Sequence, residues 1–150
     1  MIQRIQTIYL IAAFALCIGC LCTPIAHFMP REGGYMVNMY NLWFISQELF
    51  YSCFALFGIL AIAATVVFID IWLFKRRALQ MRLATFSMIL LVAWYIAYGI
   101  YCYWFSGWFE ATWRPHWTAA LPAAALIFLY LAFRGILKDE MLVRSLDRLR

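Results

Sequence analysis

One acid, Asp70, lies well inside an apolar run, about Leu49 to Phe74. A carboxyl group inside a membrane is costly to keep charged, so it marks an ion pair or an ion or proton pathway by default. It stands five residues before Lys75, about 8 Å at 1.5 Å per residue, and so close to the basic end of its run. Arg4, Arg76, Arg77 and Arg82 are the cations that could reach it. A structural ion pair with one of them is the expectation, and a proton or cation relay is the alternative. With no second charge buried beside it, Asp70 makes a poor centre for a transporter.

Cysteine is the other residue type that could do chemistry. The five cysteines are odd in number, and most fall within apolar runs, so they do not form a disulfide framework. Cys17, Cys20, Cys22, Cys53 and Cys102 all map to the half of the membrane opposite Asp70. A thiol oxidoreductase passing electrons to quinone would use Cys53, Cys102 and a helix-1 cysteine, Cys17 or Cys20. The helix dipole opposes it: Cys17 and Cys20 share a face near the C-terminal end of their segment, where thiolate is disfavoured. Packing as small apolar residues is the expected role. His27 and His116, the two histidines, have no clustered acid or thiolate and are expected to be interfacial polar residues. No phosphate-binding glycine loop, nucleophile elbow or carboxylate pair is present. No cofactor, metal or catalytic residue is expected, which weighs against an enzyme.

The elements that would position these residues follow from composition. Of the 150 residues 67% are hydrophobic, the mean hydropathy is +0.84, and only 13% are charged. Soluble domains carry about a quarter charged residues, so lipid must be the solvent for much of this chain. Four apolar runs, about 5–25, 49–74, 83–105 and 117–137, are each near the ~20 residues that span a bilayer. Backbone groups in lipid must be satisfied within the segment, so each run is expected to be a helix. The predicted fold is all-α: a polytopic membrane protein, a single domain of four transmembrane helices in a bundle, with a C-terminal amphipathic cytoplasmic helix over 138–150. Small residues four apart, Ala61 and Thr65, Ala93 and Ala97, Ala119 and Ala123, Ala120 and Ala124, are candidates for close helix packing.

Ten of the twelve basic residues fall on one side of these runs: Arg4; Lys75, Arg76, Arg77 and Arg82; and Arg134, Lys138, Arg144, Arg148 and Arg150. The positive-inside rule then predicts an inner-membrane protein with both termini in the cytoplasm. The net charge of +5 is thus topogenic, flanking the apolar runs, and nucleic acid is not an expected partner. Segment 1 has the look of a signal peptide, with Gly19-Cys20 like a lipoprotein cleavage site. Cys17 stands where a leucine is usual there, so a retained helix is expected. The first outer loop, about 26–48, is too apolar to be solvated and is expected to lie on the membrane or over the bundle. Trp104, Trp108, Trp113 and Trp117 read as an interfacial girdle. In the tail, Leu142, Leu146 and Leu149 share one face, suited to the inner leaflet or to a partner.

Three segments resemble a known family: the start, Met1 to Leu10; the link, Lys75 to Leu83; and the tail, Lys138 to Arg150. Together they look like a four-helix inner-membrane family of Bacteroidota, domain-of-unknown-function family 4293. The tail departs from the family's usual alanines at Met141 and Leu146, which strengthens its apolar face. The resemblance implies an envelope location and four spans, and no activity or ligand. All three segments fall on the predicted cytoplasmic side. Arg82, Arg144, Ser145, Asp147 and Arg148 are therefore candidates for docking a partner protein or for contact with lipid headgroups. The function expected is that of a non-enzymatic accessory, assembly or scaffold subunit working through the 75–82 link and the 138–150 tail. The alternatives are a small transporter centred on Asp70 and the quinone-linked thiol oxidoreductase.

Overall fold

The computed structural model describes residues 2–30, 36–46, 49–73, 76–108 and 110–147, with side chains over 5–29, 36–44, 51–73, 76–108 and 110–143. Four helices dominate: α1 (Ile2–Cys22), α2 (Phe54–Trp72), α3 (Arg77–Trp108) and α4 (Leu121–Asp147). Each is long and apolar enough to cross a membrane. They pack side by side in a ring, α1 on α2, α2 on α3, α3 on α4 and α4 on α1. Leu10, Ala13, Leu60, Val67, Leu91, Leu129 and Ala132 fill the centre. The outward faces are apolar as well, with Ile8, Ile62, Ile89, Ile96 and Ile127 all exposed. Helices that are apolar all round suit lipid and not water.

The chain is not all-α. Between α1 and α2 lie β1 (Ala26–Pro30), β2 (Val37–Met39), β3 (Trp43–Ser46) and β4 (Leu49–Ser52), and β5 (Ala111–Pro115) follows α3. They form one antiparallel sheet, ordered β4-β3-β2-β1-β5. It covers the helix ends opposite the two termini. Segments rich in aromatic and β-branched residues, alternating inward and outward, favour strands. Phe28, Met39 and Phe44 point into the core, while Met29 and Trp43 are exposed. The rings of Phe28, Phe44 and Phe105 pack together, with Phe44 and Phe105 stacked at 4.9 Å.

This sheet shifts several expected boundaries. Leu49 to Ser52 pair with β3 as β4, so the second helix begins at Phe54 and not near Leu49. The third helix is longer than its apolar run, 32 residues from Arg77 to Trp108. The fourth starts through a short 3-10 turn, Trp117–Ala120. It then runs unbroken to Asp147, so the described part of the tail continues α4 instead of forming a helix of its own. The alanine ridges also differ from expectation. Thr65, Ala120 and Ala123 are exposed. Of the expected residues Ala119 is buried and Ala97 packs against the core, while the fully buried helix alanines are Ala13, Ala63, Ala84, Ala125 and Ala132.

Candidate functional site

The polar side chains of the core gather at the two ends of the helices. At the sheet end they serve the backbone. A helix leaves its last four carbonyls without partners, a costly condition away from water. Here the α1 carbonyls and the chain just beyond find them. Thr23 Oγ1 donates to Gly19, Asn41 Nδ2 donates to Cys20 at 2.7 Å, and Thr118 Oγ1 donates to Pro24. Ile25 accepts from the Tyr98 hydroxyl at 3.1 Å and from the His116 amide at 3.1 Å. The other side of Asn41 accepts from Trp94 Nε1 at 3.0 Å, so one amide joins α1, the β2–β3 turn and α3.

His27 and His116, 89 residues apart, meet here with ring centroids 4.8 Å apart, edge to face. His27 Nδ1 pairs with Asn38 Oδ1 at 2.6 Å, and His116 Nδ1 with Thr118 Oγ1 at 2.8 Å. Among the described residues there is no group of three or more His, Cys, Asp or Glu placed to hold a metal. The cysteines also lie toward this end, all as free thiols: Cys17, Cys20, Cys53 and Cys102 buried, Cys22 exposed. Cys53, in the turn before α2, lies beside Cys102, and burial pushes its thiol up to about 12. A thiol held there is not the reactive thiolate. The four girdle tryptophans, Trp104, Trp108, Trp113 and Trp117, are all exposed around the same end.

The terminal end is built differently. Gln6 Nε2 donates to Asp139 Oδ2 at 2.8 Å, a buried bond joining the start of α1 to the far part of α4. Gly135 makes room for it: a Cβ there would meet Gln6 Cγ at 3.0 Å. Gln80 Nε2 donates to the Asp70 carbonyl at 3.3 Å, which ties α3 to the end of α2. The Asp70 side chain itself is fully buried, and neither carboxyl oxygen has a hydrogen-bond partner among the described residues. The expected ion pair with Arg76, Arg77 or Arg82 is therefore not made; the Arg4 side chain lies outside the described residues. These arginines emerge at the helix end while Asp70 points into the packed interior. Ser87 Oγ, on the buried face of α3, is likewise unpartnered.

The α2–α3 link and the far part of α4 meet around an open cleft of about 670 Å³ lined by Arg76, Arg77, Leu79, Arg82, Glu140 and Val143. Two of the three family-like segments thus share one surface, and the third reaches its neighbourhood through Gln6 and Asp139. Arg82 is exposed on this cleft. Arg144, Ser145 and Asp147 belong to α4, with side chains outside the described residues, and Arg148 lies outside them altogether. The sequence reading missed Gln6, Asn41, Gln80 and Asp139. Gln6, Gln80 and Asp139 each interrupt an apolar or basic segment, which was a signal, but their partners could not be read.

No curated protein matches this chain. The family model described as a domain of unknown function, DUF4293, matches residues 2–149, and the chain belongs to that family.

Proposed function

We propose that this protein is a non-enzymatic accessory or scaffold subunit of an inner-membrane complex, a four-helix bundle with both termini in the cytoplasm. The observation that carries the reading is the meeting of the α2–α3 link with the α4 extension. At 27 residues α4 is about 40 Å long, roughly 10 Å more than the hydrocarbon core, so its last turns stand clear of the bilayer. Met141, Leu142 and Val143 are exposed on those turns, close to arginines. Exposed apolar side chains flanked by positive charge suit a partner segment that is itself apolar and acidic. The sheet end, by contrast, spends its polar groups on its own backbone.

Purification from the native membrane in mild detergent, with and without residues 138–150, tests this. A stoichiometric protein partner that is lost with the tail is the expected result. A full-length protein that purifies alone, or a partner that stays after truncation, overturns it.

Asp70 favours one second reading, a small proton or cation carrier. A buried carboxyl without a partner is held by a proton or by a cation that comes and goes. Replacing Asp70 by Asn keeps the shape and removes the charge. Under this reading Asp70→Asn abolishes ion movement in proteoliposomes; under the scaffold reading the partner is still bound.

A further inference from the structure

A second cavity lies on the outer face of the helices and is wholly apolar. It is a groove of about 340 Å³ between α3 and α4, lined by Thr85, Met88, Ile89, Val92, Ile96 and Leu126. It is in line with the basic cleft. On α3, Ala78, Arg82, Thr85, Ile89, Val92 and Ile96 recur every three or four residues, so they form one stripe along the helix. On α4, Leu126 and Glu140 are fourteen residues apart, two heptads, and so share a face as well. Cleft and groove are successive parts of one furrow between the same two helices.

The dimensions fit one kind of occupant. From Thr85 to Ile96 is eleven residues, about 16 Å of helix, close to half of the ~30 Å hydrocarbon core. The groove therefore accommodates acyl chain over one leaflet. Its walls are open on the outside, with Ile89 60% and Ile96 62% exposed. Where the groove ends, at headgroup depth, Arg76, Arg77 and Arg82 line the cleft, with Glu140 the one carboxylate among the described lining residues. Three guanidinium groups against one acid leave a positive site, and guanidinium matches phosphate geometry with paired N–H donors. We propose that this furrow binds an anionic phospholipid of the leaflet facing the termini, its phosphate held by Arg76, Arg77 and Arg82 and an acyl chain lying from Thr85 to Ile96. This does not rest on the scaffold reading, although both use one cleft: the phosphate takes Arg76, Arg77 and Arg82, and the partner would meet the exposed Met141 and Leu142 beyond it.

Native mass spectrometry of the full chain, from micelles doped with equal phosphatidylglycerol and phosphatidylcholine, tests it. One retained phospholipid is expected, enriched in phosphatidylglycerol. Arg82→Gln should lower that preference about fivefold, the usual effect of one basic residue at a charged membrane surface, and Arg82→Lys should keep most of it. Val92→Trp, at an exposed position, should fill the groove and lower the amount of either lipid without changing their ratio. Millimolar inorganic phosphate should displace nothing, because the chain anchors the molecule. The proposal is overturned if Arg82→Gln leaves the ratio unchanged, if Val92→Trp leaves the amount unchanged, or if inorganic phosphate competes the lipid away.

Discussion

The two ends of this molecule solve the same problem in opposite ways. Both bring helix termini and polar groups into an apolar setting. At the sheet end each group finds an internal partner: Asn41 and Thr118 cap the exit of α1, Tyr98 reaches Ile25, and Trp94 meets Asn41. The five-stranded sheet carries the rest of that backbone in its own ladder. At the terminal end the Asp70 carboxyl and the Ser87 hydroxyl have no partner among the described residues, and Arg76, Arg77 and Arg82 line an open cleft. A fully satisfied network holds one arrangement firmly. Groups left without partners are available to something else. Hence the sheet end is a rigid cap, and function is to be sought at the terminal end.

The largest expected effect comes from breaking the cap. Asn41→Ala removes the acceptor of Trp94 Nε1 and the donor to the Cys20 carbonyl at once. Each buried group left without a partner costs about 1–3 kcal/mol, so a loss of about 4 kcal/mol is expected. Denaturant unfolding in mild detergent measures it. The same truncation at the other end, Gln6→Ala, breaks one bond to Asp139 and should cost less than half as much. Equal losses at the two ends would remove the distinction between them.

The next effect has the opposite sign. Asp70→Leu replaces an unpartnered buried carboxyl with an apolar side chain of similar size. Relieving that desolvation should stabilise the protein by about 2 kcal/mol, again by unfolding in detergent. No residue of the sheet-end network offers such a gain, because each already has its bonds. A loss of stability in Asp70→Leu would mean that the carboxyl has a structural partner, and the terminal end would then be as closed as the cap.

The same contrast governs what the sequence made legible. The helices were readable because four long apolar runs can satisfy their backbone in lipid only as helices, and the basic residues clustered on one side of them. The sheet was not, because apolarity alone does not separate a strand from a helix. Leu49 to Ser52 continued the apolar run of α2, yet Leu-Phe-Tyr-Ser is strand-forming and pairs with Trp43 to Ser46. Gly33-Gly34 marked a turn, but not that β1, the strand before it, would pair with β5 from beyond α3. At the site, the clustering of link and tail was foreshadowed by the basic residues, which put both on one side of the apolar runs. The Gln6–Asp139 bond spans 133 residues and had no local trace. The alanine spacing misled in part, since four-residue repeats occur on outward faces, as at Thr65, Ala120 and Ala123, as well as on inward ones, as at Ala119. Burial, not spacing, decided that Ala63 and Ala132 carry the contacts.

The smallest effect tests how firmly the terminal end holds the Gln6–Asp139 bond between α1 and α4. Gly135 lies inside α4, where alanine is favoured by about 1 kcal/mol. Its absent Cβ would sit 3.0 Å from Gln6 Cγ and 3.3 Å from Gln6 Nε2. Because Gln6 is pinned by Asp139, Gly135→Ala alone should be nearly neutral, the helical gain cancelled by the crowding. With Gln6→Ala the obstacle is gone, and the same substitution should stabilise by about 1 kcal/mol. Unfolding of the four variants gives the coupling directly. A coupling near 1 kcal/mol means that Gln6 resists displacement, so α1 and α4 are fastened even where the arginines and Asp70 are not. A coupling near zero means that Gln6 swings aside at no cost, and the whole terminal end, this bond included, is free to rearrange around what it binds.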